Sequence, residues 1–583
     1  MKKEKKKQFW ATIGRIVTYA KPHKSFFYLA CIFDLLAVGL NTFLPIVQAW
    51  GIDKIIGKGN VDFAGLGRIL LIIGVQAITS ACFEWFAVFF EDVLVNKTSE
   101  GMRNLCFKKI HSVPLKYIDN NPHGDMMNTV INDIENVTSG FLSGFRTILS
   151  GITQLISCII FMIMLNWQLT IAVVILAPIT LLISTVITKR ARKLFTQVVD
   201  KTGKISAYTE EMLSNLKIIK AYNIEKDSVE NFEKINKELY KSNEKATFYA
   251  SMATPSSRFI DGSIYGIIGC IGAFMCIAGN ITVGGISAFV NYSNKFTSPF
   301  EDVAGILADM QTAIASAHRV FDLLDQKNMT SDKGKEQLAF CNGNLEIKNV
   351  YFSYTPQVKL IENFNLKVKK GQHIAIVGPT GCGKSTLINL LMRFYDVDSG
   401  KINISGKDYK DITRNSLRKC YGMVLQDSWL YNASIKDNIA YGKPDASMEE
   451  IIEASKLAGT HTFIEKLPNG YNTIIDENAD NISAGQKQLL CIARIMLIKP
   501  PMLILDEATS NIDTHTEKEI QKAFDYIMEG RTCFVIAHRL STIVNSDLIL
   551  VMNKGNIIEQ GTHRELMDKQ GFYYNLYNSQ FSN

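Results

Sequence analysis

Charge is what this sequence is short of: Asp, Glu, Lys and Arg make up 20% of its 583 residues, against about 25% in soluble globular proteins. The deficit is concentrated. Residues 147–188 and 262–294 carry none of the four, residues 25–53 only Asp34 and Asp53, and residues 69–90 only Glu84. A wholly soluble chain is excluded by the first of these runs, which is about twice the roughly 20 residues needed to cross a bilayer once. Paired cysteines are lacking too. The 11 Cys are scattered singly, several of them (Cys158, Cys270, Cys276) in apolar runs and Cys382 in a glycine-rich turn, with neither zinc-ligand spacing nor a disulfide framework. Reduced, structural thiols are expected. The net charge of +7 comes with no zinc-finger or stacking-aromatic pattern, which argues against nucleic acid as a partner. The basic cluster from Met1 to Lys7 precedes no small-residue cleavage pattern, and the first apolar run begins only near Phe26. It reads as a retained cytosolic arm beside an anionic membrane surface.

The uncharged runs resolve into spans. Asn166, Trp167 and Gln168 form a polar turn inside 147–188, so that segment is expected to cross and return. Gly279 to Thr282 divides the later run into spans near 262–278 and 283–300, and the two N-terminal runs form a first hairpin joined through Gly57 to Asn60. Six spans in three hairpins result, with both chain ends in the cytosol by the positive-inside bias. The segments near 92–140 and 190–250 are charged and helically periodic; they read as membrane helices that project into the cytosol, with tips suited to meet a soluble domain. Asp34 and Glu84, with Glu91, Asp92, Glu301 and Asp302, either make an inner cavity acidic and favour cationic amphiphiles, or sit at the interface or pair with a base such as Lys295. Trp85, Phe89 and Phe90 read as packing or lipid contacts.

The division is therefore a multi-domain chain: an all-α transmembrane bundle over 1–325, a polar linker over 326–344, and an α/β P-loop NTPase domain over 345–583. Within the last, the apolar run Ile374 to Val377 leads into Gly378, Pro379, Thr380, Gly381, Cys382, Gly383, Lys384, Ser385 and Thr386. This spacing turns backbone N–H groups and a helix N-terminus toward a phosphate chain, sends Lys384 to the β/γ-phosphates and gives Ser385 to Mg²⁺. Pro501 to Glu507 is a buried-strand pattern ending in two acids. The carboxyl end of such a strand holds the ligand in α/β folds, so Asp506 is expected beside Ser385 on Mg²⁺, and Glu507 is placed to polarise a water.

With these elements the sequence resembles the ATP-binding cassette superfamily, in particular exporter-type half-transporters with a six-helix membrane domain fused to one nucleotide-binding domain. The resemblance spans nearly the whole chain. Its strongest motif is Ile482, Ser483, Ala484, Gly485 and Gln486, 20 residues before Asp506, which looks like the family signature. By resemblance, Tyr354 stacks on adenine, Gln426 senses Mg²⁺ and touches the membrane domain, Asp513 closes the loop joining two nucleotide domains, and His538 contacts the γ-phosphate. Pro114 to Asp119, with Gly124 to Met127 and Asn132–Asp133, looks like a first coupling segment; Lys220 to Asn223 with Glu225 looks like part of the second cytosolic extension.

Departures are visible. Ile482 and Ala484 replace the usual Leu and Gly, Asp476 to Ala479 replaces a Gly-Glu-Arg-Gly-like stretch, and the joining loop is Ser510 to Asp513 in unusual form. Such loops resemble the catalytically intact half of heterodimeric exporters, so the resemblance favours a second, different half-transporter as partner over a second copy of this chain. The implied activity is ATP-driven export of amphipathic small molecules or lipids, with ATP and Mg²⁺ as cofactors, membrane lipids as surroundings and the cytoplasmic membrane as location. Export of a peptide or lipid-linked substrate, and an ATP-gated channel without pumping, are the other readings; a soluble ATPase would not carry the spans.

Overall fold

The computed structural model describes residues 2–55, 61–425, 428–476, 481–506, 514–536 and 540–581. The chain divides into two compact units, residues 1–111 with 122–326 and residues 112–121 with 327–583.

The first unit is helical. Its elements are α1 (Lys2–Ala20), α2 (Lys24–Asp53) and α3 (Phe63–Ile110). After the short α4 (Leu115–Asp119), which belongs to the second unit, come α5 (His123–Asn128), α6 (Ile134–Leu165), α7 (Trp167–Ser214), α8 (Leu216–Tyr222), α9 (Glu225–Ile277) and α10 (Val283–Leu324). At about 1.5 Å per residue, the 48 residues of α3 extend about 72 Å, more than twice the roughly 30 Å hydrocarbon core of a bilayer. These helices therefore run well past any membrane they cross. Among the described residues, four segments are long and apolar enough to span: Phe9–Asp53, Phe63–Ile110, His123–Leu165 and Arg258–Ile277. In the most apolar stretch of α3 only 11% of residues are buried, and Leu70, Leu71, Ile78 and Trp85 lie open. An apolar face of that extent belongs against lipid or another helix rather than water. The Gly57 to Asn60 connection lies outside the described residues.

The first chain hairpin is also a packing pair, but the second and third are not. α2 lies along α3, but α6 packs chiefly on α10 rather than on α7, and α7 chiefly on α9. Glycine explains the α6–α10 seam. A Cβ on Gly140 would come within 3.2 Å of the Ala313 Cβ and the Asp309 carbonyl, and one on Gly144 or Gly151 within 3.4 Å of Met310 or Pro299. Small residues let two backbones approach closely where apolar burial alone cannot discriminate partners. The polar turn after α6 is nonetheless present: Asn166 caps α7, its side chain accepting from the Gln168 and Leu169 amides at 3.0 and 3.1 Å.

The second unit is α/β. A small antiparallel sheet, in order β2-β1-β4-β5, is built from β1 (Leu345–Phe352), β2 (Ile361–Val368), β4 (Ser399–Ile404) and β5 (Lys407–Asp408). The larger sheet, in order β10-β9-β3-β8-β7-β6, contains β3 (His373–Val377), β6 (Tyr421–Val424), β7 (Met502–Asp506), β8 (Thr532–Ile536), β9 (Leu548–Asn553) and β10 (Asn556–Gly561). Its strands from β9 through β6 are parallel. They are apolar throughout because both faces are covered. Ala375, Val377, Leu503, Leu505 and Val535 enter one core, while Ile374, Ile376, Met502, Ile504 and Phe534 enter the other, the strict alternation of a pleated strand.

Candidate functional site

The parallel register lines up the carboxyl ends of four neighbouring strands. Val377 leads into the glycine-rich turn, Asp506 ends β7 opposite Ile536 of β8, and β6 ends at Val424. Glu507, His538 and Gln426 follow β7, β8 and β6 by one or two residues; these three, with Asp513, lie outside the described residues. Their strands converge on the one edge where an α/β sheet holds a ligand.

The glycine-rich turn is shaped by two positions that exclude a side chain. Gly378 has φ 155° and a Cβ there would come 2.2 Å from the Met552 carbonyl; Gly383, at φ 103°, caps the following helix α11 (Lys384–Leu391). No side chain caps α11, so its first amides face the turn with the helix dipole behind them. Lys384 bends over the turn, its Nζ donating to the Gly378 and Pro379 carbonyls at 2.8 and 3.1 Å. Pro379, Thr380, Gly381 and Ser385 are exposed, while Cys382 and Thr386 are buried. Cys382 packs into the core, a structural thiol as its apolar surroundings suggest. Backbone amides, one ammonium, the Ser385 hydroxyl and the Asp506 carboxylate form a donor set that fits a Mg²⁺–nucleoside triphosphate.

Tyr354 stands beside the turn, fixed from two sides. Its hydroxyl donates to Thr386 Oγ1 at 3.3 Å and accepts from Asn389 Nδ2 at 3.0 Å. Its ring meets Phe352 and Tyr395 edge-on, both at 4.9 Å. Tyr395 in turn donates its hydroxyl to the Asp119 carboxylate on α4. The segment around α4 is tied to the second unit by further contacts: Met329 N donates to the Ser112 carbonyl at 2.8 Å, and Leu115 packs on the core.

The signature residues begin a helix, Ala484–Ile498, through a reciprocal cap. Gln486 N donates to Ser483 Oγ at 3.3 Å, and Ser483 N donates to Gln486 Oε1 at 3.1 Å. Ser483 and Ala484 are exposed, Gly485 is buried, and Ile482 is 6% exposed within the core, where a branched aliphatic chain serves as well as Leu. The segment 477–480 lies outside the described residues.

In the first unit the acids sort themselves. Arg146, at the border of the uncharged run, contacts Glu91 at 2.5 Å and Asp34 at 3.3 Å. Both carboxylates are thus paired, and by Arg146 rather than Lys295. Glu84 and Asp92 are exposed, and the Glu301 and Asp302 side chains are outside the description. A second pair joins residues far apart in the chain: Asp133, only 1% exposed, accepts from Arg319 Nε at 2.8 Å and Nη2 at 2.5 Å and from Ser316 Oγ at 2.8 Å. The opposite charges are visible in sequence, but nothing local connects them.

A helical unit with lipid-ready faces, joined to a P-loop domain with a serine-capped signature helix, defines an ATP-binding cassette transporter. Comparison with known proteins agrees: residues 27–300 match the family of the ABC transporter transmembrane region, and residues 361–510 match the family described as ABC transporter. The chain is 39% identical to an uncharacterized ABC transporter ATP-binding protein of Bacillus subtilis, over all of this chain and 96% of that protein. It is 37% identical to a fatty acid ABC transporter ATP-binding/permease protein of Mycobacterium bovis, over 93% of this chain and 85% of that one. It is 33% identical to a provisionally named multidrug export ATP-binding/permease protein of Staphylococcus aureus, over 97% of this chain and the whole of the other. The chain belongs to the ABC transporter family. It is a multi-pass membrane protein with a cytosolic ATPase domain that uses ATP and Mg²⁺ to drive transport.

Proposed function

We propose that this protein exports amphipathic small molecules or lipids, or flips them between leaflets, across the cytoplasmic membrane by alternating access. The observation that carries the reading is a cleft of about 330 Å³ along the α6–α10 seam, lined by Ser139, Ser143, Thr147, Asp309 and Thr312. A polar groove flanked by apolar helix faces suits a molecule with a polar head and an apolar body. The names of the relatives, one for fatty acids and one for multidrug export, point to the same class. With Asp34 and Glu91 answered by Arg146, the exposed Glu84, Asp92 and Asp309 are acids, among the described residues, that would favour a cationic head.

In this reading the chain has six spans within 1–325, a linker over 326–344 and a nucleotide domain over 345–583. It works with a second half-transporter, a different chain by the form of its joining loop. Lys384 and the amides from Gly378 to Thr386 hold the phosphates, Tyr354 supports the adenine, and Ser385, Asp506 and Gln426 hold Mg²⁺. Ser483, Ala484, Gly485 and Gln486 cover the nucleotide of the partner. Mg²⁺ neutralises charge on the phosphoryl group, Glu507 orients and deprotonates water, and His538 steadies the terminal phosphate. ATP-dependent accumulation of a fatty acid and of a cationic dye in inverted vesicles tests the reading, with Glu507→Gln vesicles as the control. Intact ATPase activity without accumulation of any amphiphile would refute it.

A further inference from the structure

The seam between two packing pairs of the helical unit is fastened at both ends. α2 lies along α3 and α6 along α10, and the two pairs meet chiefly where α2 passes α10 and α6. At one end of this seam Arg146 of α6 contacts Asp34 of α2 and Glu91 of α3. At the other, the Gly284 amide of α10 donates to Asp53 Oδ1 of α2 at 2.8 Å. Asp34 and Asp53 are 19 residues apart on one helix, about 28 Å of rise and close to the roughly 30 Å of a hydrocarbon core. The two fastenings therefore stand at opposite faces of the membrane. The last residues of α10 lead into the cytosolic nucleotide unit, so Gly284, at the start of α10, is on the external side.

Consecutive residues at the end of α2 address different partners. Lys54 Nζ pairs with Asp62 Oδ2 at 3.3 Å and closes α2 onto the start of α3, while Asp53 reaches across to α10. Its carboxylate takes up one of the amides that a helix start leaves open and meets the positive end of the helix dipole. The next amide, Gly285 N, is served by Thr282 Oγ1 of the same helix at 3.0 Å. Only glycine fits at 284: a Cβ there would stand 2.1 Å from the Ala49 carbonyl and 2.7 Å from Asp53 Oδ1. The two ends thus touch backbone to backbone, and Ala49, one turn deeper on α2, is 4% exposed. Further in, the Tyr292 hydroxyl of α10 donates to the Thr42 carbonyl of α2 at 2.6 Å. Pro45 lies between Thr42 and Asp53 and has no N–H for the Asn41 carbonyl, so α2 can bend there.

We propose that Asp53 and Gly284 form the external gate of the transport path, shut while the path faces the cytosol and parted when it faces outward. The proposal rests on the alternating-access reading above. Parting carries the outer end of the α2–α3 hairpin away from α10 about Pro45, breaks the bond from Gly284 to Asp53 and gives both groups to water. Asp53 and Gly284 act here as positioning residues, through the helices that they join.

The test introduces Ala49→Cys into the full-length protein and reads its labelling by a membrane-impermeant maleimide outside right-side-out vesicles. Peptide mapping keeps the native thiols apart from the reporter. Labelling is expected to be slow in vesicles without nucleotide and fast in vesicles loaded with ATP and vanadate. Adding Asp53→Ala, which deletes the acceptor, is expected to speed labelling without nucleotide by about tenfold or more, the scale of one hydrogen bond to a charged group. Gly284→Ala is expected to do the same by bulk, and Asp53→Asn, which keeps an acceptor oxygen, to restore slow labelling in part. Should these variants not fold, the nucleotide dependence of the Ala49→Cys protein alone decides. Labelling that ignores nucleotide, or that a folded Asp53→Ala leaves unchanged, overturns the proposal. Because the readout does not involve cargo, nucleotide-dependent labelling without accumulation of any amphiphile would support the gate and refute only the cargo class.

Discussion

Arg146 and Glu91 meet at 2.5 Å inside the helical unit, and the same guanidinium reaches Asp34 at 3.3 Å, so one cation on α6 serves two carboxylates on α3 and α2. Both acids are 8% exposed at the side chain. Removing one partner of a buried pair strands charge and costs about 3–5 kcal/mol, whereas replacing the whole set by neutral groups is often neutral. Arg146→Met is therefore expected to lower the unfolding free energy in detergent by that amount, read as a fall in the thermal midpoint, and Arg146→Met with Asp34→Asn and Glu91→Gln to restore most of it. A single variant as stable as the native protein would show that the cluster is not desolvated.

Lys384 and Glu507 are predicted to separate binding from chemistry. Lys384 overhangs the turn, so Lys384→Ala is expected to weaken ATP binding by about tenfold or more, roughly 1.4 kcal/mol, measured with a fluorescent nucleotide. Glu507→Gln keeps affinity and lowers turnover by about 10²–10⁴, the usual contribution of a general base. A properly paired Glu507→Gln complex that hydrolyses ATP at the native rate would remove Glu507 from its role.

Tyr395 stands between the Tyr354 ring and the Asp119 carboxylate. Tyr395→Phe keeps the edge-on packing and deletes only the hydroxyl. A hydrogen bond to a charged group is worth about 1.5–3 kcal/mol. The expected outcome in proteoliposomes is a fall in substrate moved per ATP, with basal ATPase activity little changed, because α4 is continuous in sequence with α3. An unchanged transport-to-hydrolysis ratio would make the contact merely structural.

Legibility followed the range of the interactions. The turn from Gly378 to Thr386 and the strand ending at Asp506 were readable because a few consecutive residues dictate them, and β3 and β7 lie where the apolar runs are. The P-loop domain and the signature cap at Ser483 are likewise local. Arg146 was invisible as a partner of Asp34 and Glu91, since the match depends on three helices meeting. The α6–α10 seam depends on which glycine faces which neighbour, and sequence periodicity does not record that. Glu507, His538 and Gln426 rest on the positions of their strands alone.

Asp332 makes the first stretch of the second unit sensitive to acid. Its carboxylate accepts from Arg414 N at 2.6 Å and Arg414 Nη1 at 2.9 Å, with Lys335 Nζ at 3.3 Å. Burial alone would raise its pKa; the Arg414 amide, Lys335 and the Arg414 guanidinium outweigh burial and hold it below the usual carboxylate range. The folded state thus binds this proton less readily than the unfolded chain, whose carboxyl titrates near about 3.9. Its stabilisation is complete above that value and is lost as pH falls through the lower folded one. With the carboxylate 28% exposed, the contribution is about 1 kcal/mol. Asp332→Asn is expected to melt below the native protein at pH 7, with the gap closing as the pH falls below the carboxylate range. A gap that stays constant across that range would mean that the charge of Asp332 is not what holds this stretch to Arg414.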